Sequence, residues 1–322
     1  MHSSRSVSIP REDRIVGALV GLLVGDALGV PYEFNPPERI PPANQLEYRP
    51  PAGFSRSHAG VAPGTWSDDG AQALCLLESL LACGELNLDD FAGRMVRWYT
   101  HGHLAVDGHV FDIGITTASA LRAVLQGESP ESSGPDDQYS NGNGSLMRVL
   151  PLALWHTDDD AALVRDARRQ SLPTHGHVRA QVCCALYCLW ARRLLDEHSD
   201  PWNDAVRTLR ALIVDDAAAV EELEFHIRPD DPAIGEGSGY VVDALRSARW
   251  ACEAEDFTGV VRRAIRLGHD TDTTACIAGG IAGLRFGLSG IPQRWRDGLL
   301  GKSLYEPLRD GLLAHLRNAA AG

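Results

Sequence analysis

Glycine recurs at every fourth residue, positions 17, 21, 25 and 29, along the apolar run 15–28. In an α-helix that spacing stacks the glycines on one face. A face without side chains lets another backbone approach closely. In a membrane such a stripe would suggest a helix-dimer seam. Asp26 and the small residues leave this run too short and broken for a bilayer, so a tightly packed core helix is expected. A second segment, 273–286, is almost entirely small and apolar. A helix that is apolar all round is a buried helix.

Helical periodicity continues through 71–83, 88–101, 116–126, 146–155, 158–170, 178–198, 202–213, 240–253, 257–267, 292–298 and 303–318. Asp89, Asp158 and Asp200 stand near expected starts; Gly84, Gly102, Gly127 and Gly268 stand near expected ends. Alternating strand patterns of useful length are nearly absent. The expectation is an all-α chain with a flexible tail over residues 1–10 and a single domain over 11–320. Two long loops, 35–64 and 127–144, interrupt the helices. Loops of that length inside one domain are often functional.

The chain carries 43 acidic and 30 basic residues, a net charge of −13. A nucleic-acid footprint needs a basic surface, so that class is disfavoured. An anionic ligand is still possible where backbone amides, a helix N-terminus or metal ions neutralise it locally. The seven cysteines form no CxxC pair and mostly lie in apolar runs. They read as buried thiols in a reducing cytoplasm, with neither secretion nor membrane insertion expected. A zinc site from Cys183, His175 and His177 fits no paired-ligand spacing, and His101, His103 and His109 lack accompanying ligands.

Several segments could carry chemistry. Thr65-Trp66-Ser67-Asp68-Asp69 ends a loop and opens a helix. One carboxylate there is explained as a cap, but a pair is better explained by bridging cations. Asp270 and Asp272 lie two apart before the small, apolar helix, which implies that they are buried. Buried carboxylates need partners, and no Lys or Arg is near in sequence. Oxygen ligands of this type suit hard cations such as Mg²⁺, Mn²⁺ or Ca²⁺. Glu33 follows the glycine-rich helix as a base, a metal-facing group or a plain loop carboxylate. The segment Asn141-Gly142-Asn143-Gly144-Ser145 could present backbone amides to phosphate, although it lacks the lysine of a Walker loop.

Taken in order, GDALGVPYEF (25–34), TWSDDGAQ (65–72), FDIGITTASAL (111–121), NGNGSLMRVLPLAL (141–154), THGH (174–177), GSGYVVDAL (237–245) and GHDTDTTACIAGGIAG (268–283) resemble the ADP-ribosylglycohydrolase family. The resemblance implies a compact orthogonal bundle of helices with a two-metal cleft. It implies two divalent cations, Mg²⁺ foremost and Mn²⁺ as an alternative, held by Ser67, Asp68, Asp69, Asp270, Asp272 and Thr273. Glu33 would face the metals, and Asp112 would lie near the distal ribose. Asn143, Gly144, Ser145 and Met147 fall in the segment matched to diphosphate and ribose binding. His175 would touch ribose or phosphate. Catalytic work would fall to Glu33, Asp68 and Asp112.

The implied reaction is hydrolysis of ADP-ribose from a modified arginine. An O-linked (serine) or small-molecule conjugate remains open, as does an immunity module that blocks an ADP-ribosyltransferase. The implied partners are an ADP-ribosylated protein or conjugate and a cognate transferase. Three positions depart from the family's habit: Ser67 for threonine, Gly70 where threonine is usual, and His269 where glycine is frequent. The second could loosen a hydrogen bond, and the third could narrow the cleft or touch substrate.

Overall fold

The computed structural model describes residues 9–321, so all of the expected N-terminal tail except Ile9 and Pro10 lies outside the described residues. Among the described residues fourteen α-helices follow one another: α1 (Arg11–Gly29), α2 (Asp68–Cys83), α3 (Leu88–His101), α4 (Ile115–Leu125), α5 (Leu150–Trp155), α6 (Asp160–Arg169), α7 (Val178–Leu195), α8 (Pro201–Leu212), α9 (Ala217–Glu221), α10 (Val241–Ala251), α11 (Phe257–Ile265), α12 (Thr271–Phe286), α13 (Gln293–Gly298) and α14 (Lys302–Ala321). Among the described residues the only β-type pairing is an isolated antiparallel bridge between Gly142 and Tyr240. The fold is all-α.

At its centre α1 and α12 run antiparallel, the most extensive helix pair in the molecule. The glycines of α1 meet small residues of α12 that also recur every fourth position. A methyl group on Gly21 would lie 2.4 Å from the Gly279 carbonyl oxygen, and one on Gly25 would lie 2.0 Å from that of Ala275. At one end Gly17 packs on Gly283; at the other, Gly29 packs on Thr271 and Asp272. Backbone therefore touches backbone along the whole seam. The remaining helices surround it: α10, α11 and α7 pack on α12, and α2 joins α3, α5 and α14.

The seam also corrects one expectation. Arg11–Tyr32 is long and apolar enough to cross a membrane, with a mean hydropathy of 1.8, yet it is wholly enclosed by protein. Enclosure, not length, is what makes it a core element.

Other differences are local. The helix expected over 146–155 begins only at Leu150, because residues 143–149 turn tightly, with the Leu146 and Met147 amides both bonded to the Asn143 carbonyl. A short helix and a π-helical turn, Ala217–Glu221 and Glu222–Ile227, were not anticipated. Asn87 and Asp159 supply the caps expected of Asp89 and Asp158. Gly84 and Gly102 end α2 and α3 in the left-handed conformation, as expected. The 35–64 loop is pinned by Tyr48, whose hydroxyl donates to the Trp295 carbonyl at 2.9 Å, and by Glu47, which accepts from Arg262, Arg294 and Trp295.

Gly283→Ala should be severely destabilising, since its methyl would sit 2.0 Å from the Gly17 carbonyl oxygen; overpacking of this kind costs about 1–3 kcal/mol or more. Gly93→Ala in α3 meets open space and should raise stability by about 0.5–1 kcal/mol. Thermal melts of the two variants check the seam.

Candidate metal and substrate cleft

The antiparallel seam brings the C-terminal end of α1 to the N-terminal end of α12. Glu33 follows α1 after one short 3-10 turn, and Asp270 and Asp272 open α12. Phe34 donates its amide to the His269 carbonyl, and His269 donates its own to the Asn35 carbonyl, each at 2.7 Å. That reciprocal pair locks the two segments together. One ligand atom each from Glu33, Asp270 and Asp272 lies within 4.8 Å of the others.

Asp68 and Asp69 occupy the first turn of α2, with Ser67 as its cap; the Ser67 hydroxyl accepts from the Asp69 amide at 3.3 Å. This helix start is held by Asp26, a fully buried residue on α1. Its carboxylate accepts from the Ser67 amide at 2.9 Å and from the Gly70 amide at 2.8 Å. Gly70 is also required sterically, because a β-carbon there would come within 2.8 Å of the Trp66 ring. Thr273 Oγ1 donates to Asp69 Oδ1 at 3.3 Å and ties α12 to α2. Asp68 accepts from Gln72 at 2.8 Å, and Gln72 in turn accepts from the fully buried Arg148 at 3.0 Å. Arg148 also donates twice to Gln170. Burial pushes Arg148 down to about 10, because no carboxylate touches it.

Among the described residues Asp270 and Asp272 come within ligand distance of Glu33, and Thr273 ties Asp69 to the same helix start, while Asp68 and Asp69 fall outside the donor groups that lie within 4.8 Å of one another. Several of their oxygens lack partners: Asp69 Oδ2 and both carboxylate oxygens of Asp272 are buried with no hydrogen bond. Burial foremost, then mutual repulsion, pushes Asp68, Asp69 and Asp272 well above the usual carboxylate range. Burial also raises Asp26, to about 7, against the lowering effect of its amide donors. Unpartnered, buried carboxylate oxygens of this kind fit hard cations.

Glu33 is buried and pushed up to about 11, by burial first and then by Asp112, Asp270 and Asp69. Asp112 is beside it, through His58: the His58 ring nitrogen Nε2 lies 2.6 Å from Glu33 and 4.0 Å from Asp112. His58 comes from the 35–64 loop and was not anticipated from sequence. Phe34, Asp112 and His269 all take left-handed backbone at φ 58°, 56° and 58°. Non-glycine residues rarely do so, and their clustering marks a constrained site. It also explains why glycine would suit position 269.

The opposite wall is the 141–145 segment. Asn143 donates to Asp270 at 2.8 Å through its side chain, and its amide bonds the Gly239 carbonyl at 3.0 Å. The amides of Gly142, Gly144 and Ser145 have no acceptor among the described residues. His175 packs beneath: added β-carbons on Gly142 and Gly144 would meet its ring at 3.3 and 2.8 Å. Burial pushes His175 down to about 3, so it is neutral, with Nδ1 paired to the Thr174 hydroxyl at 2.8 Å. Two substrate-binding expectations fare differently. The Ser145 hydroxyl is buried and accepts from Ser171 at 2.8 Å, which leaves its backbone for a ligand. Met147 lies in the apolar core rather than on the cleft wall. His177 caps α7, its ring nitrogen accepting from the Arg179 amide. Among the described residues no cysteine enters a candidate metal group.

Residues 8–321 match the family model described as ADP-ribosylglycohydrolase. The chain belongs to the ADP-ribosylglycohydrolase family. It is 33% identical over 288 residues to "ADP-ribosylarginine hydrolase Tri1" of Pseudomonas putida (strain GB-1), covering 88% of this chain and 73% of that protein. It is 28% identical to "ADP-ribosyl-[dinitrogen reductase] glycohydrolase" of Rhodospirillum rubrum, covering 94% and 96%. A solved structure titled "ADP-ribosylglycohydrolase-related protein complex" superposes with a TM-score of 0.75 at 32% identity, over 95% of this chain and 98% of that one. The family is one of metal-dependent hydrolases, and this ADP-ribosylglycohydrolase carries acidic groups able to bind metal.

The raised carboxylates give a pH signature. Their folded pKa values exceed the unfolded ones, so without metal their contribution is present below about pH 4 and is lost as pH rises through the folded values, about 7 for Asp26. The melting temperature in EDTA should fall between about pH 6 and pH 8, and millimolar Mg²⁺ should raise it more at the higher pH. An ion-induced increment equal at both pH values would contradict the carboxylate assignment.

Proposed function

We propose that the chain hydrolyses the N-glycosidic bond between ADP-ribose and an arginine side chain, with two divalent cations, most readily Mg²⁺, as its resident cofactors. The observation that carries this is the close grouping of Asp270 and Asp272 with Glu33, together with the unpartnered buried oxygens of Asp69 and Asp272. The arginine linkage is supported by the named activity of the relative at 33% identity.

Ser67, Asp68, Asp69, Asp270, Asp272 and Thr273 would hold the cations. When bound, these ions supply Lewis-acid charge and lower the pKa of water. The chain's own residues do the rest. The free amides of Gly142, Gly144 and Ser145 receive the diphosphate oxygens, so a protein of charge −13 needs no arginine there. Asn143 fixes Asp270. Neutral His175 supports the loop without adding charge. Water attacks C1 of the distal ribose, whose bond to the guanidine nitrogen breaks with oxocarbenium-like character. Glu33 or Asp112 accepts the water proton and passes it to the departing guanidine nitrogen, so that ADP-ribose and unmodified arginine are released. Phe34 and His269, both exposed beside Glu33 and Asp270, would face the acceptor side, where the modified protein approaches. The ADP-ribosylated substrate, and the transferase that made it, are the partners this reading requires. Six buried thiols of seven, all free, suit a cytoplasmic setting.

The test supplies arginine-linked and serine-linked ADP-ribosyl proteins with Mg²⁺ or with EDTA and measures released ADP-ribose. Mg²⁺-dependent release from arginine is expected; release from serine alone overturns the linkage. Asp272→Asn should reduce turnover by about a hundredfold or more and abolish the Mg²⁺-dependent rise in melting temperature. Full activity in this variant would refute the metal assignment.

A further inference from the structure

The 35–64 loop reaches the cleft through His58. Glu33 belongs to two groups of closely spaced donors, one with Asp270 and Asp272 and one with His58 and Asp112, each within 4.8 Å. The carboxylate thus stands between the metal-facing acids and the loop. The Glu33 carboxyl group pairs with His58 Nε2 at 2.6 Å. That pairing ties the carboxyl group to the loop, on the side away from Asp270 and Asp272.

The imidazole is itself held. Its ring packs against Phe34 and Phe111 with centroids 5.8 and 5.0 Å away. Ser57 Oγ donates to the Glu33 carbonyl at 2.7 Å, which fixes the loop to the same residue from the other side. Arg56 donates to the Ala59 carbonyl at 2.6 Å and the Val61 carbonyl at 3.3 Å, closing the chain around His58. A side chain locked by packing, with one nitrogen on a functional carboxylate, is the arrangement by which supporting residues orient active groups.

We infer that His58 is a positioning residue: it holds the Glu33 carboxylate at the junction of the metal-facing acids and Asp112. The 35–64 loop is then part of the active site rather than a surface excursion. The inference rests on the hydrolase reading for its kinetic consequence, but not for its structural one.

The test compares wild type, His58→Ala, His58→Gln and Glu33→Gln, each alone, and His58→Ala with Glu33→Gln combined. It measures kcat and KM on ADP-ribosylarginine with Mg²⁺, melting temperatures, and crystal structures of the His58 variants. In His58→Ala, kcat should fall about 10- to 100-fold with KM little changed, and Glu33 should rotate from its place. His58→Gln, whose amide nitrogen reaches the same region, should restore most of the rate and the Glu33 position. The double variant should be no slower than Glu33→Gln alone. An unmoved Glu33 with unchanged kcat in His58→Ala overturns the inference. So does a folded His58→Gln as impaired as the alanine variant. If wild type releases no ADP-ribose from any conjugate, the hydrolase reading fails, while the Glu33 position in the crystals still decides the role of His58.

Discussion

The close approach of α1 and α12 is the constraint on which the rest depends. Two backbones can touch over four turns only if both helices present glycine or another small residue at each crossing. Gly17, Gly21, Gly25 and Gly29 do so on one side, and Thr271, Ala275, Gly279 and Gly283 on the other. Dispersion contacts along such a seam are individually small and jointly large. Its functional product is at one end: Gly29 packs against Asp272 itself, so any widening there would separate Glu33 from Asp270 and Asp272. Packing density and catalytic geometry are set by the same residues.

Around that end the protein gathers carboxylates that no neighbouring cation offsets. Asp26 answers part of the problem with backbone amides, and it thereby fixes the start of α2. The buried Arg148 acts at one remove, through Gln72 to Asp68. Asp69 and Asp272 keep oxygens without partners. A cluster this unsatisfied is costly unless charge is supplied from outside. The architecture thus stores a demand for metal at the point where a glycosidic bond would be presented.

Much of this was legible in the residues. The glycine interval marked α1 as a packed core helix, and the small residues of 273–286 marked α12 as buried, which in turn implied a buried Asp272; Asp270, expected to be buried with it, is half-buried. What could not be read was that the two helices pair, since an antiparallel match is a tertiary fact. Asp26 left a usable signal, a lone acid inside an apolar run, as did Arg148 between Met147 and Val149. His58 left none, because its loop has no period and its partner Glu33 is 25 residues away. Met147 shows the opposite error: membership of a motif outweighed its apolar flanks, and the side chain is in the core. The late start of α5 has the same origin, since helical periodicity cannot reveal a tight turn in which two amides share the Asn143 carbonyl.

The central claim, that the seam builds a metal centre at its end, is tested most directly by anomalous diffraction from crystals soaked in Mn²⁺. The account predicts two peaks enclosed by Asp68, Asp69, Asp270 and Asp272. No peak among these residues, or a single ion held only by Glu33, His58 and Asp112, would contradict it.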